Sequence, residues 1–262
     1  MHSYNKKNIA LFLYVLLVAL AASSTSSVVR SEELILVADE WCPYNCTPGN
    51  KNPGYLVEIV QYSLEKAGYT LTYKIVPWNR AIKRVESGNF HGIIGAGKQE
   101  TPSFIFHDLP LFTIEHRFYT LTKNTWQYEN IDSLKTINLG VIKDYSYGTL
   151  YNEYIKNNAK LSSKITTLHG DDEFERLILL LEREQIDAFV EDKNIVGNYI
   201  RNAEKSPSLR TAGKASSEAI YIAFSPALPN SKQYAKAISE GFAALQASGK
   251  IDALKLKYHL TD

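Results

Sequence analysis

The chain has 262 residues, of which 45% are hydrophobic, and it carries 29 Lys and Arg against 28 Asp and Glu. That length suits one large domain or two lobes of ordinary size. The balanced charge, with no basic stripe, argues against nucleic acid as a partner. Seventeen tyrosines suit a wet cleft, where a ring packs and its hydroxyl reaches solvent, although ordinary packing accounts for most of them.

The N-terminus reads Lys6-Lys7, then the apolar run IALFLYVLLVALAA from Ile9 to Ala22, then SSTSS. The run is shorter than the ~20 residues of a membrane span and holds the small-residue pattern Ala19-Leu20-Ala21, which predicts a secretory signal over residues 1–21, removed on export. No cysteine stands at the cleavage point to take a lipid, so a soluble exported chain is expected.

From there the hydrophobic period switches between strand and helix values. ELILVAD (33–39) reads as a buried strand, and GYLVEIVQYSLEKAG as a helix with Leu56, Ile59, Val60 and Leu64 on one face and Gly68 closing it. TLTYKIV (70–76) alternates. WNRAIKRVESG reads as a helix presenting Ala81, Ile82 and Val85, and GIIGA as a further buried strand. The middle repeats the pattern: strand TINLGVI (136–142), helix YGTLYNEYIKNN, apolar helix FERLILLLERE and strand IDAFVED. The run IYIAFSPALP and the helix SKQYAKAISEGFAALQASG close the chain. ESGNFHGIIG and EREQIDAFVE occupy equivalent places, so two similar α/β lobes of mostly parallel strands flanked by helices are expected.

The only two cysteines, Cys42 and Cys46, lie in ADEWCPYNC. In an exported protein such a pair favours a disulfide, with free thiols as the alternative. A thioredoxin-like site wants C-x-x-C, and a zinc site wants two more ligands, which the six histidines do not offer at H-x-x-x-H spacing. No metal or other cofactor is expected.

The order of WCPY, GYLVEIV, VPWNRAIKRVESGNFHGIIG, LGVIKDYSYG, LEREQIDAFVEDKNIVGNYI and ISEGFAALQASGKIDALKLKY resembles the bacterial extracellular solute-binding proteins of family 3, over Glu33 to Asp262. The resemblance implies a two-lobed type II periplasmic-binding fold, with a discontinuous first lobe (33–122 plus 219–262), a second lobe (123–218), and crossings near Thr122–Asn124 and Ser217–Ala219. It implies a periplasmic, monomeric receptor that captures a small polar solute and delivers it to an inner-membrane ABC transporter. The alternatives are a ligand-sensing periplasmic protein or a dehydratase-like exported enzyme on the same scaffold, since fold alone does not fix function. His91, His107 and His116 are the histidines near the first lobe, and none stands with a matched catalytic partner.

Ligands of open α/β sheets sit beyond the carboxyl ends of the strands. The loop of Glu40, Trp41 and Tyr44 begins where the first strand ends; Trp41 then walls a cleft or packs into its own lobe. Lys98 and Thr101 follow the third strand. Tyr145, Ser146 and Tyr147 join a strand to a helix whose free N–H groups suit an anion. Glu191 and Asp192 end another strand, where the resemblance implies a carboxylate for a ligand ammonium group; the alternative is that Asp192 caps the next helix. Trp78 and Arg80 open a helix, and Arg80 either grips a ligand carboxylate or braces backbone carbonyls. Amino-acid binders of the family carry a carboxylate-gripping Arg in a T-x-x-R segment that precedes an F-S-x-P-Y pattern. Here KQETPSFIFHDLPLF puts Thr101 or Glu100 at that place, so the resemblance does not extend to amino-acid specificity.

Overall fold

A computed structural model of the protein describes residues 31–204 and 207–261; the expected signal segment lies outside the described residues. Strands are β1 (Glu32–Ala38), β2 (Tyr69–Ile75), β3 (Gly92–Ala96), β4 (Ile105–Phe106), β5 (Phe112–Leu121), β6 (Leu139–Ile142), β7 (Ile165–Leu168), β8 (Ala188–Asp192) and β9 (Leu209–Phe224). Helices are α1 (Tyr55–Lys66), α2 (Trp78–Glu86), α3 (Thr149–Asn158), α4 (Glu173–Glu182), α5 (Lys193–Asn202), α6 (Ser231–Ala247) and α7 (Lys250–Lys257). Among the described residues, no helix is long and apolar enough to cross a membrane.

The strands follow one path, β2-β1-β3-β9-β5-β8-β6-β7, with β4 added beside β9. Parallel pairs recur on both sides of the path: Leu36 faces Gly92 in β1 and β3, and Leu139 faces both Ile165 of β7 and Ala188 of β8. The centre is antiparallel. The 16-residue β9 pairs first with β5, from Leu209↔Leu121 to Ile220↔Phe112, and then with β3, from Tyr221↔Ala96 to Phe224↔Gly92.

Each parallel group is covered by helices on both faces, which is why its inner strands β1, β3, β6 and β8 read as largely continuous apolar runs rather than alternations. Leu36, Ile94, Ile222 and Phe224 pack under α1 and α6, while Val37, Ile93 and Ala223 point the other way, onto Trp78, Ala81 and Val85 of α2. Beyond β9 the same division recurs. Leu139, Val141, Ala188 and Val190 pack with Tyr151 of α3, and Ile142, Leu168 and Phe189 with Leu177, Ile178 and Leu181 of α4. Helices α1 and α6 meet at Gly241, where a Cβ would lie 2.2 Å from Ser63 Oγ and 2.5 Å from Ser63 Cα. Only glycine permits that approach. The architecture is thus a mixed α/β fold in which strands β1, β3, β6, β7 and β8 all bring their carboxyl ends to one region.

Candidate functional site

Beyond those strand ends lies a cavity of about 350 Å³. Asp39, Glu40, Trp41 and Cys42 reach it from the end of β1, and Ile142 and Tyr145 from the end of β6. Gly170, Asp171 and Asp172 come from the β7–α4 loop, and Glu173, Phe174 and Glu175 from the first turn of α4. Glu191 comes from β8, and Ile195, Asn198 and Tyr199 from α5. The size fits a small solute. A second, water-sized cavity of about 20 Å³ adjoins it at Asp39, Trp41 and Tyr145, and is walled further by Trp78, Glu100, His116, Ser146 and Glu218.

The cysteine loop is docked across the molecule. A Cys42–Cys46 disulfide closes it, and Trp41 exchanges backbone hydrogen bonds with Asn45 at 2.8 and 3.0 Å. The Trp41 indole N–H donates to Glu191 Oε1 at 3.3 Å. Tyr44 Oη donates to Asp192 Oδ1 at 3.0 Å and accepts from Asn194 Nδ2 at 2.9 Å. The loop also builds a helix start, because the N–H groups of Tyr55 and Leu56 donate to the carbonyls of Pro43 and Tyr44 at 2.9 and 3.1 Å. Closing so short a loop removes about 2 kcal/mol of unfolded-chain entropy. A Cys42→Ser, Cys46→Ser double variant is therefore expected to melt several degrees lower, and the native protein to show no free thiol before reduction; a thiol titration and a melting curve check both.

Glu191 and Asp192 divide their work. Asp192 Oδ1 accepts from the N–H groups of Asn194 and Ile195 at 2.9 and 3.3 Å and so caps α5. Its other oxygen accepts from Glu115 N at 2.9 Å. Glu191 Oε1 accepts from Trp41 and, at 2.7 Å, from Asp192 N. Glu191 Oε2 has no partner, although the residue is fully buried and forms part of the cavity wall. Burial, with Asp192 and Asp39 nearby, pushes its carboxyl up to about 8. Asp39 accepts from Tyr145 Oη and is pushed by burial to about 7.

Glu100 and Thr101 are the two residues at which the family's Arg is expected, and Glu100 is the charged one of the pair. Its carboxylate accepts from Gly97 N and Ser146 N, both at 2.8 Å, and Ser146 Oγ donates to Glu218 at 2.6 Å. Thr101 is buried, with its hydroxyl directed to Gly97 O at 3.5 Å. No guanidinium occupies this position.

Of the expected residues, Glu40, Trp41, Tyr145 and Glu191 come together around the main cavity, and Trp78 and Ser146 around the small one. Tyr44, Tyr147 and Asp192 are buried behind them; Tyr147 Oη accepts from Ile142 N at 2.9 Å. Three lie elsewhere. Arg80 is exposed on α2 and lines neither cavity, because two residues past the buried Trp78 a helix has turned to its opposite side. Lys98 is exposed with its ammonium 4.6 Å from the Tyr221 ring centre. Thr101 serves its own turn.

The residues that sequence reasoning passed over are Asp39 and the acidic group Asp171, Asp172, Glu173 and Glu175. The run HGDDEFE is their signal in the sequence, and it is hidden because ITTL, with two threonines at its centre, carries too little apolar pattern to read as the strand that delivers it. Among the histidines, His91 Nδ1 and His107 Nε2 each accept a backbone N–H at 3.0 Å, from Ile35 and Ile222. His116 lies 3.1 Å from Ser216 Oγ and is held neutral by burial, its pKa lowered to about 3. Among the described residues, no group of three His, Cys, Asp or Glu side chains is placed to hold a metal ion.

Comparison places this geometry among known proteins. Residues 34–261 match the family model for bacterial extracellular solute-binding proteins, family 3. Among solved structures, a histidine kinase sensor domain with similarity to periplasmic binding proteins superposes with a TM-score of 0.73 at 18% identity, covering 87% of this chain and 96% of the other. A mutant ArgBP from T. maritima gives 0.70 at 18%, covering 87% and 95%. An amino acid ABC transporter substrate-binding protein from Streptococcus pneumoniae bound to L-arginine gives 0.68 at 17%, covering 86% and 94%. At such identities these likenesses speak to fold alone. No curated protein sequence matches the chain.

Proposed function

Because the chain belongs to the bacterial extracellular solute-binding proteins of family 3, we propose that it is a periplasmic receptor that holds one small solute between Trp41 and Glu191 and delivers it to an inner-membrane ABC transporter. One observation carries the reading. A fully buried carboxylate, Glu191, has one oxygen saturated and the other without a partner, in the wall of a cavity built from two segments 150 residues apart. A buried acceptor left unmade costs about 1–3 kcal/mol, and a ligand donor recovers it. Residues 1–21 act as the export signal and are removed. The lobes are 33–122 plus 219–262 and 123–218, joined through β5 and β9, and closing them brings Trp41 to Glu191. The chain acts as a monomer, without a cofactor, and returns its solute unchanged: His91 and His107 serve the backbone, and His116 faces Ser216.

The likeness to a histidine kinase sensor domain favours one second reading, that the same cavity reports a solute to a sensor rather than to a transporter. Solute uptake in a deletion strain separates the two.

The receptor reading is tested with purified exported chain and a panel of amines, amino acids, organic acids and short peptides. At least one solute is expected to raise the melting temperature by roughly 5 °C or more near a hundredfold excess over its Kd, and to be recovered intact. Trp41→Ala is expected to remove the shift while leaving a cooperative melt. A panel without any shift would overturn the reading.

A further inference from the structure

The main cavity has seven carboxylates in its wall, Asp39, Glu40, Asp171, Asp172, Glu173, Glu175 and Glu191, and among the described residues it has no Lys, Arg or His. They are graded in depth. Glu40, Asp171, Asp172 and Glu175 are exposed at the rim, Glu173 is half-buried, and Asp39 and Glu191 are buried at the floor. Arg176 of α4 does not line the cavity but sits at the back of the acidic loop, its Nη1 donating to His169 O at 3.0 Å and to Asp171 O at 3.5 Å, where its charge offsets only part of what burial and the neighbouring acids do to Glu173. The small adjoining cavity adds Glu100 and Glu218 and no Lys or Arg.

We propose that the solute is a small organic polycation with N–H donors and no carboxylate, of the diamine or guanidino-amine class, seated with one donor on Glu191 Oε2 and its chain running out past the acidic rim. The proposal rests on the receptor reading and names the chemistry of its solute.

Four observations select this class. Glu191 Oε2 lacks a hydrogen-bond donor, and a buried carboxylate oxygen is best met by a charged N–H, which forms a short, strong bond. A quaternary ammonium has no hydrogen to give. A ligand carboxylate would enter a wall of seven acids with no cation opposite, so its desolvation would go unmatched. The carboxylates are spread around the cavity rather than gathered to hold one metal ion, which suits charges distributed along a molecule. Finally, Trp41, Tyr145, Phe174 and Tyr199 stand between the acids, giving methylene segments apolar cover and cations a ring face. The exposed rim also sets a negative field at the mouth, which speeds entry of cations and weakens with salt.

Calorimetry on the exported chain decides, with 1,4-diaminobutane and agmatine set against L-arginine, L-glutamate and calcium chloride. Arginine is agmatine with a carboxylate added, so the pair isolates that one group. Agmatine or diaminobutane is expected to bind at least about thirtyfold more tightly than arginine. The reaction should release protons, seen as a buffer-dependent enthalpy, so that affinity rises by up to about tenfold for each step of one in pH and each proton released. Glu191→Gln is expected to weaken agmatine about thirtyfold or more, and the exposed-rim variant Asp171→Asn by only a fewfold, chiefly in association rate. Arginine or glutamate binding as tightly as agmatine, or calcium binding alone, overturns the polycation class while leaving the receptor reading intact. If nothing in this set or in the broader panel binds, both fall.

Discussion

Glu191→Gln is expected to raise the melting temperature of the ligand-free protein at about pH 9 by roughly 5 °C or more, and to leave it nearly unchanged near about pH 5. The carboxyl stands at about 8 in the folded chain against an ordinary 4.5, burial being the main cause. Between those values the folded protein keeps a proton that the unfolded chain has released, so stability falls as pH rises through that window. Every tenfold weakening of an acid on folding corresponds to about 1.4 kcal/mol, so several kcal/mol are at stake by the alkaline end. Asp39, at about 7, adds to the same slope. Burial outweighs the groups that act on Glu191: the hydrogen bonds from Asp192 N and the Trp41 indole favour the ionised form, while the charges of Asp192 beside it and of Asp39 at the end of β1 oppose it. Glutamine has the shape of the protonated acid and cannot ionise. Melting curves across pH would show the two proteins converging at the acid end. A variant less stable than the parent at alkaline pH would mean that Glu191 is ionised and satisfied in the folded state.

Gly54→Ala is expected to cost about 3 kcal/mol or more and to lower the melting temperature by roughly 6–12 °C. Gly54 has φ of +121°, outside the range of ordinary side chains, and a Cβ there would lie 2.2 Å from Tyr44 O and 2.7 Å from Tyr44 C. The same carbonyl accepts from Leu56 N, so the turn cannot move aside without detaching α1 from the cysteine loop. Since Tyr44 also reaches Asp192, binding is expected to weaken as well. A melting temperature within about 2 °C of the parent would show that the loop can yield.

The helices and the buried parallel strands were legible from their periods and lengths: Leu56, Ile59, Val60 and Leu64 mark α1, and LILVA, a short run ending in Asp-Glu, suits a strand covered on both faces. The strand-end rule then pointed to Trp41, Tyr145 and Glu191, which line the main cavity. Other elements left weaker marks. In β5, FTIEHRFYTL carries Glu115 and Arg117 on the side that ends in ion pairs, and the first half of β9, LRTAGKASSE, has little apolar content. The β5–β9 ladder defines both strands. β7 has only Ile165 and Leu168 buried, with two threonines between them, so its loop of acids went unplaced. Side-chain direction was the remaining difficulty. Arg80 stands on the expected helix and Lys98 in the expected loop, but helical rotation sends one to solvent and the Tyr221 ring takes the other.

The unbroken course of β9 past both β5 and β3 limits how the molecule can move. A strand already near full extension cannot lengthen, so access to the cavity has to come from torsion of the ladder and not from separation of its two sides. The register shifts between Glu115 and Arg117 and between Phe118 and Tyr119 give that torsion places to collect, as bulges bend a strand without dismantling its pairing. In deuterated solvent the amides along the β5–β9 ladder should therefore be among the last to exchange, at nearly the same rate whether the cavity is filled or empty, while those of the Asp171–Asp172 loop respond strongly to occupancy.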